Sequence, residues 1–118
     1  MTNNITQPRS KADTLAVFCA IKKWGNQCEI CGSAVNDVHH LYPKGNFGHL
    51  RYNLNNLVPI CRKCHEKTDA WILAEIMRVR GDEWYVNLKA LAKERPISYI
   101  KVSWYKENIK ILQDYLDD

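Results

Sequence analysis

Residues 28–65 read CEICGSAVNDVHHLYPKGNFGHLRYNLNNLVPICRKCH, and the fold follows from how that stretch is parsed. It opens and closes on a Cys-x-x-Cys pair, Cys28 with Cys31 and Cys61 with Cys64, and the second pair runs directly into His65. A Cys-x-x-Cys turn aims two thiolates at one centre, and two such turns supply the four soft ligands of a tetrahedral structural zinc site. The 29 residues between the pairs exceed the roughly 15–20 of compact zinc ribbons. A hairpin-sized segment is therefore expected to loop out between the two turns.

Within that segment, residues 33–43 read as a first strand stopped by Pro43, and residues 44–56, rich in Gly and Asn, as loop. NLVPIC brings the chain back as a second strand, with Pro59 limiting its ladder bonds. From Arg62 the pattern turns helical, with Trp71, Leu73, Ile76 and Met77 as the apolar face and an end near Gly81.

Upstream, residues 1–9 are polar and contain Pro8, which predicts a loose arm. Ser10 and Asp13 form a plausible capping pair for a helix that Gly25 stops, with Leu15, Phe18, Cys19 and Lys22 on one side and Ala16 and Ile21 alongside. Cys19, in this apolar stretch, reads as a buried free thiol. Downstream, residues 82–95 are a helix carrying Trp84, Leu88 and Leu91, ended by Pro96. Ser98 opens a last helix in which Val102, Tyr105, Ile109, Leu112 and Leu116 step by three and four. That seam packs on the domain's own helices or, as the lesser expectation, on a second copy.

Apolar content of 46% and charged content of 25% are ordinary for a soluble domain, and 118 residues make one domain that benefits from a metal staple. No apolar run approaches the roughly 20 residues of a membrane span, and the start MTNNITQPRSK lacks a signal-peptide core. The expected location is cytoplasmic, in a bacterial or phage-infected cell, where paired cysteines favour metal over disulfides. The net charge of +4 is uneven. Residues 1–67 hold nine basic against four acidic side chains, and residues 68–118 hold eight against nine. The basic half contains the motif, which fits a face offered to a polyanion, although such a surplus also marks ordinary solvated surface.

DVHHLYP, then Asn56, then CRKCH resembles the HNH motif of ββα-metal endonucleases, with His40, Asn56 and His65 in its three positions. More loosely, GHLRYNLNNLVPICRKCH followed by helices resembles phage recombination nucleases of the NinG (Rap) type. The resemblance implies an α+β fold: a small zinc-stapled ββα-metal core over residues 10–80 with an N-terminal helix. Residues 81–118 then form a C-terminal helical extension, two or three helices packed in the same compact domain. It also implies a metal-dependent DNA endonuclease that leaves 5′-phosphate and 3′-hydroxyl ends, on branched recombination intermediates or as a general nicking or restriction enzyme.

Carried over position by position, the resemblance makes His40 the general base and Asn56 the side chain that shapes the loop. His39 and His65 hold a catalytic divalent cation, Mg²⁺ or Mn²⁺, with Ni²⁺ or Zn²⁺ as alternatives because imidazole favours transition metals. Cys28, Cys31, Cys61 and Cys64 hold the structural zinc. His65 has two blander readings, as a zinc ligand in place of Cys64 or as a helix cap. Asn53 and Asn55 are rivals of Asn56, and His49 is a phosphate contact or inert. Lys44, Arg51, Arg62, Lys63 and Lys67, with Tyr42 and Tyr52, are the expected backbone contacts to DNA, carrying little sequence information. Two rival functions remain: a zinc-stapled nucleic-acid-binding module without catalysis, and a zinc-bearing protein-interaction domain using the C-terminal seam.

Overall fold

The computed structural model describes residues 5–94 and 101–118. The structure is a mixed fold of five helices and one two-stranded sheet among the described residues, in the order α1 (Thr6–Trp24), β1 (Asp37–His40), β2 (Leu57–Ile60), α2 (Arg62–His65), α3 (Asp69–Arg80), α4 (Asp82–Lys93) and α5 (Val102–Asp117). Two single 3₁₀ turns, Gly48–Leu50 and Leu54–Asn56, punctuate the loop between the strands.

The ribbon is antiparallel, with Asp37 opposite Ile60, Val38 opposite Pro59, His39 opposite Val58 and His40 opposite Leu57. Side chains alternate across a strand, so the ribbon has two distinct faces. Leu57 joins a core with Ala12, Ala16, Cys19 and Ala20 of α1 and with Tyr105 and Leu112 of α5, and Val38 packs at its edge. Val58 and Ile60 join the other core, with three of the cysteines and with Ile72 and Ile76 of α3. All four residues of β2 are buried, so this strand is the central wall of the molecule.

The helix α1 begins at Thr6, not at Ser10, so residues 6–9 of the expected arm are its first turn. Pro8 fits there because a first-turn N–H has no partner inside the helix in any case. Asp13 does not cap this helix and is drawn instead to Arg51. The buried stripe is Ala12, Ala16, Cys19 and Ala20, whereas Phe18 is 56% exposed. Small residues let α5 lie close, and the Cys19 Sγ–H donates to the Leu112 carbonyl at 3.3 Å. Gly25, at φ +104°, ends α1 in a conformation that L side chains rarely adopt.

The helix expected from Arg62 to Gly81 is broken. Residues after α2 leave the helical path, and the Thr68 hydroxyl accepts the Trp71 N–H at 3.1 Å to start α3 afresh. On α4 the buried residues are Leu88 and Ala92, and Leu91 is partly exposed. The α5 seam is occupied within the molecule: Tyr105 and Leu112 are 3% and 2% exposed against α1, with Ile109 and Leu116 beside them. Pro96 and Ser98, the expected boundary residues, lie outside the described residues. No helix among the described residues is long and apolar enough to cross a membrane.

Arg80, at the end of α3, ties these layers together. Its guanidinium donates two bonds of 2.7 Å to the Glu29 carboxylate and others to the carbonyls of Asn55 (3.0 Å) and Leu57 (2.7 Å). It lies 3.5 Å from the centroid of the Trp24 ring and 5.0 Å from that of Trp84. The pair is shut away from water, at 2% and 6% side-chain exposure.

Candidate metal centres and nuclease site

Cys28, Cys31, Cys61 and Cys64 bring their sulfurs within 4.8 Å of one another, positioned to bind a metal ion. The Gly32 N–H donates to the Cys28 carbonyl, closing the first turn, and the Cys61 Sγ accepts the Cys64 N–H at 3.4 Å, shaping the second. Hydrogen bonding to Ser33 and to the Cys64 N–H holds the Cys61 thiol down to about 6, so a thiolate is available at neutral pH. Four sulfurs in this arrangement fit a closed tetrahedral site, consistent with structural zinc. The set is complete without His65.

His65 stands at the end of α2 and turns toward the ribbon. Its Nδ1–H donates to the Asp37 carboxylate at 3.0 Å, which leaves Nε2 with its lone pair outward. That Nε2 lies 3.2 Å from Nδ1 of His39. A carboxylate behind one imidazole is the usual brace of a metal-ligating histidine. The separation is about the edge that two ligands span when each stands ~2.0–2.1 Å from a shared cation. His39 also has a buried Nε2 with no hydrogen-bond partner. Burial, helped by the nearby His65, lowers the pKa of His39 and keeps the ring neutral, as ligation requires. The two histidines thus fit a divalent cation.

His40, one residue on, faces the α1 side. Its Nε2–H donates to the Arg51 carbonyl at 3.1 Å, so the neutral ring carries its lone pair on Nδ1. Burial lowers its pKa to about 4 against the pull of that carbonyl, so the ring is neutral at physiological pH. It lines a cavity of about 190 Å³ shared with Asp13, Lys44, Arg51, Tyr52 and Leu57. Of the three histidines, then, two meet on one face of β1 and the third stands on the other, with the strand ending between them at His40.

Asn56 is fully buried. Its Oδ1 accepts the Tyr42 N–H at 2.7 Å, and its Nδ2 donates to the carbonyls of Tyr42 (3.1 Å) and Leu50 (3.3 Å). One side chain thus pins both ends of the loop that leaves β1. Asn53 instead caps the following 3₁₀ turn by accepting the Asn55 N–H. His49 donates to the Leu91 carbonyl of α4. Among the basic residues, Lys44, Lys63 and Lys67 are exposed, and Arg62 has a side chain 68% exposed with a 3.5 Å contact to Asp37. Arg51 differs: its side chain is 17% exposed and is held by Asp13. Asp37 and Arg80 were not singled out in the sequence, and Asp13 was read there as a helix cap. Their roles arise from partners 28 to 51 positions away, which no local pattern reports.

Residues 28–70 match the family model described as HNH endonuclease. Over 44 residues the chain is 46% identical to a mitochondrial DNA mismatch repair protein mutS homolog of Sarcophyton glaucum. The match takes in 34% of this chain and 4% of that protein, so it concerns a short segment of a much longer relative. No solved structure matches the chain.

Proposed function

We propose that this chain is a metal-dependent DNA endonuclease that hydrolyses phosphodiester bonds to 5′-phosphate and 3′-hydroxyl ends. The observation that carries the reading is the 3.2 Å approach of His39 and His65, backed by Asp37, beside a neutral His40 whose Nδ1 is free to take a proton. The match of residues 28–70 to the HNH endonuclease family supports it.

His40 is the general base: its Nδ1 accepts a proton from the attacking water, and its Nε2–H stays on the Arg51 carbonyl throughout. The proposed place for the substrate phosphate is the end of β1, where the strand stops at His40. His39 and His65 would hold the divalent cation, Mg²⁺ or Mn²⁺ in the first instance, with Ni²⁺ or Zn²⁺ as alternatives for a two-imidazole site. When bound, that cation stabilises the charge that builds on the phosphorane and on the departing oxygen. Asn56 holds the loop in shape beside them, and Lys44, Arg62, Lys63 and Lys67 contact the phosphate backbone. Arg51 serves from its place behind His40.

Branched recombination intermediates are the proposed substrate class, on the NinG-like pattern of the motif and its following helices. The test is incubation with supercoiled plasmid, and with junction, flap, duplex and single-stranded DNA, in Mg²⁺, Mn²⁺ or Ni²⁺. Metal-dependent nicking supports the proposal, and preference for junctions or flaps supports the substrate class. Retarded mobility with no cut strand in any metal would replace it with a zinc-stapled binding module.

A further inference from the structure

We infer that Asp13, on α1 and outside the ββα core, is a positioning residue for His40: it holds Arg51 so that the Arg51 carbonyl fixes the imidazole. The inference rests on the nuclease reading for the role of His40. Asp13 Oδ1 accepts from Arg51 Nε at 2.9 Å, and Oδ2 from Nη2 at 2.7 Å, a two-point grip that sets the direction as well as the distance of the guanidinium. The same Oδ1 accepts the Tyr52 hydroxyl at 2.7 Å. Two consecutive loop residues are thereby hung from one carboxylate.

The loop has other ties, from Asn56 to the Leu50 carbonyl and from His49 to the Leu91 carbonyl, but the carboxylate of Asp13 is the one that grips the Arg51 side chain itself. Between the strands its backbone has only single turns, and the Arg51 N–H reaches no farther than the Gly48 carbonyl. The Arg51 carbonyl is nonetheless the acceptor that keeps the His40 proton on Nε2 and the lone pair on Nδ1. Asp13, His40, Arg51 and Tyr52 border one cavity, so a shift of the clamp is felt by the ring at once. A displacement of about 1 Å in a catalytic group can cost about a hundredfold in rate.

A plain structural clip between α1 and the loop would alter stability and nothing more. The distinguishing experiment uses the full zinc-loaded chain with Asp13→Asn, which keeps the volume and one acceptor, and with Arg51→Lys, which keeps the charge and loses the fork. Each variant is first checked for retained zinc and a cooperative melt, so that one serves if the other does not fold. The expected result is a kcat lowered by roughly tenfold to a hundredfold with KM unchanged. Alongside it, the ¹⁵N ring spectrum of His40 should pass from the Nε2–H tautomer to a mixture of both. An unchanged kcat, or a ring that remains wholly Nε2–H in the folded variants, overturns the inference. If the wild-type chain cuts no DNA in any metal, the nuclease reading falls, and the ring spectrum alone decides whether Asp13 sets the His40 tautomer.

Discussion

At the scale of single residues, the pleat of a strand turns two adjacent histidines to opposite faces, and the proposed reading gives each its own task. Burial moves His40 from the ordinary histidine value of about 6.5 down to about 4. A base works only when unprotonated, so with saturating metal the cleavage rate should fall on the acid side around pH 4 and be level above pH 5. Single-turnover rates across that range check this; a midpoint near 6.5 would mean a solvated ring. His40→Ala should lower the rate by about 10²–10⁴-fold while DNA retention on a filter persists. Replacing the buried Asn56 by Ala takes the acceptor from the part-buried Tyr42 N–H, at a cost of roughly 1–3 kcal/mol in urea unfolding. These residues were proposed from the resemblance to the HNH motif, which marks the His-His dipeptide and His65 and leaves Asn56 to be chosen among Asn53, Asn55 and Asn56. That adjacent His39 and His40 face opposite sides was already implied by a strand over them; what the sequence did not convey is that His65, braced by Asp37, meets His39 on its side while the Arg51 carbonyl meets His40 on the other.

At the scale of elements, the hairpin, the two cysteine turns and the helices near their Gly boundaries were readable, since Gly25 and Gly81 take positive φ where the chain must stop and turn. The break between α2 and α3 was not, because Thr68 gives the same signal inside a helix as at its start until its hydroxyl is seen on the Trp71 N–H. On α1 the expected face holds at Leu15, Ala16 and Cys19 and fails at Phe18: hydrophobicity favours Phe18, but a close helix crossing selects Ala12 and Ala20. The cysteine turns fasten the hairpin to α2, and structural zinc typically contributes roughly 10–16 kcal/mol of apparent binding free energy. Cys61→Ser, or prolonged chelation, should therefore abolish the cooperative thermal transition. The Arg80–Glu29 pair fastens α3 to the first cysteine turn from inside. Arg80→Met should cost roughly 3–5 kcal/mol, because a buried carboxylate is left behind. Equilibrium denaturation reads that loss, and a second change, Glu29→Gln, should recover part of it.

At the scale of the whole molecule, two of the three core clusters among the described residues lie back to back across β2, one under the cysteines and α3, the other between α1 and α5, while Leu50, Leu88 and Ala92 form a smaller third under α4. The core between α1 and α5 is built from distant parts of the chain: Arg9 meets Tyr105, Cys19 meets Leu112, and Lys22 meets the carbonyls of Tyr115 and Asp118. Truncating Leu112 to Ala should cost about 2–5 kcal/mol as a folding penalty, independent of protein concentration, because its partner is α1 of the same chain. The periodicity of α5 was plain in the sequence, but periodicity alone does not say whether a stripe meets its own domain or another copy. Since α1 also carries Asp13, the division into two cores separates loading from competence. A preparation truncated before residue 102 would retain the cysteine-side core and its ion, yet lose the backing of the helix behind His40. Stoichiometric zinc on such a sample would certify only half of the molecule, and quality control would have to watch the α1–α5 contact, for instance through the reactivity of the Cys19 thiol toward alkylating reagents.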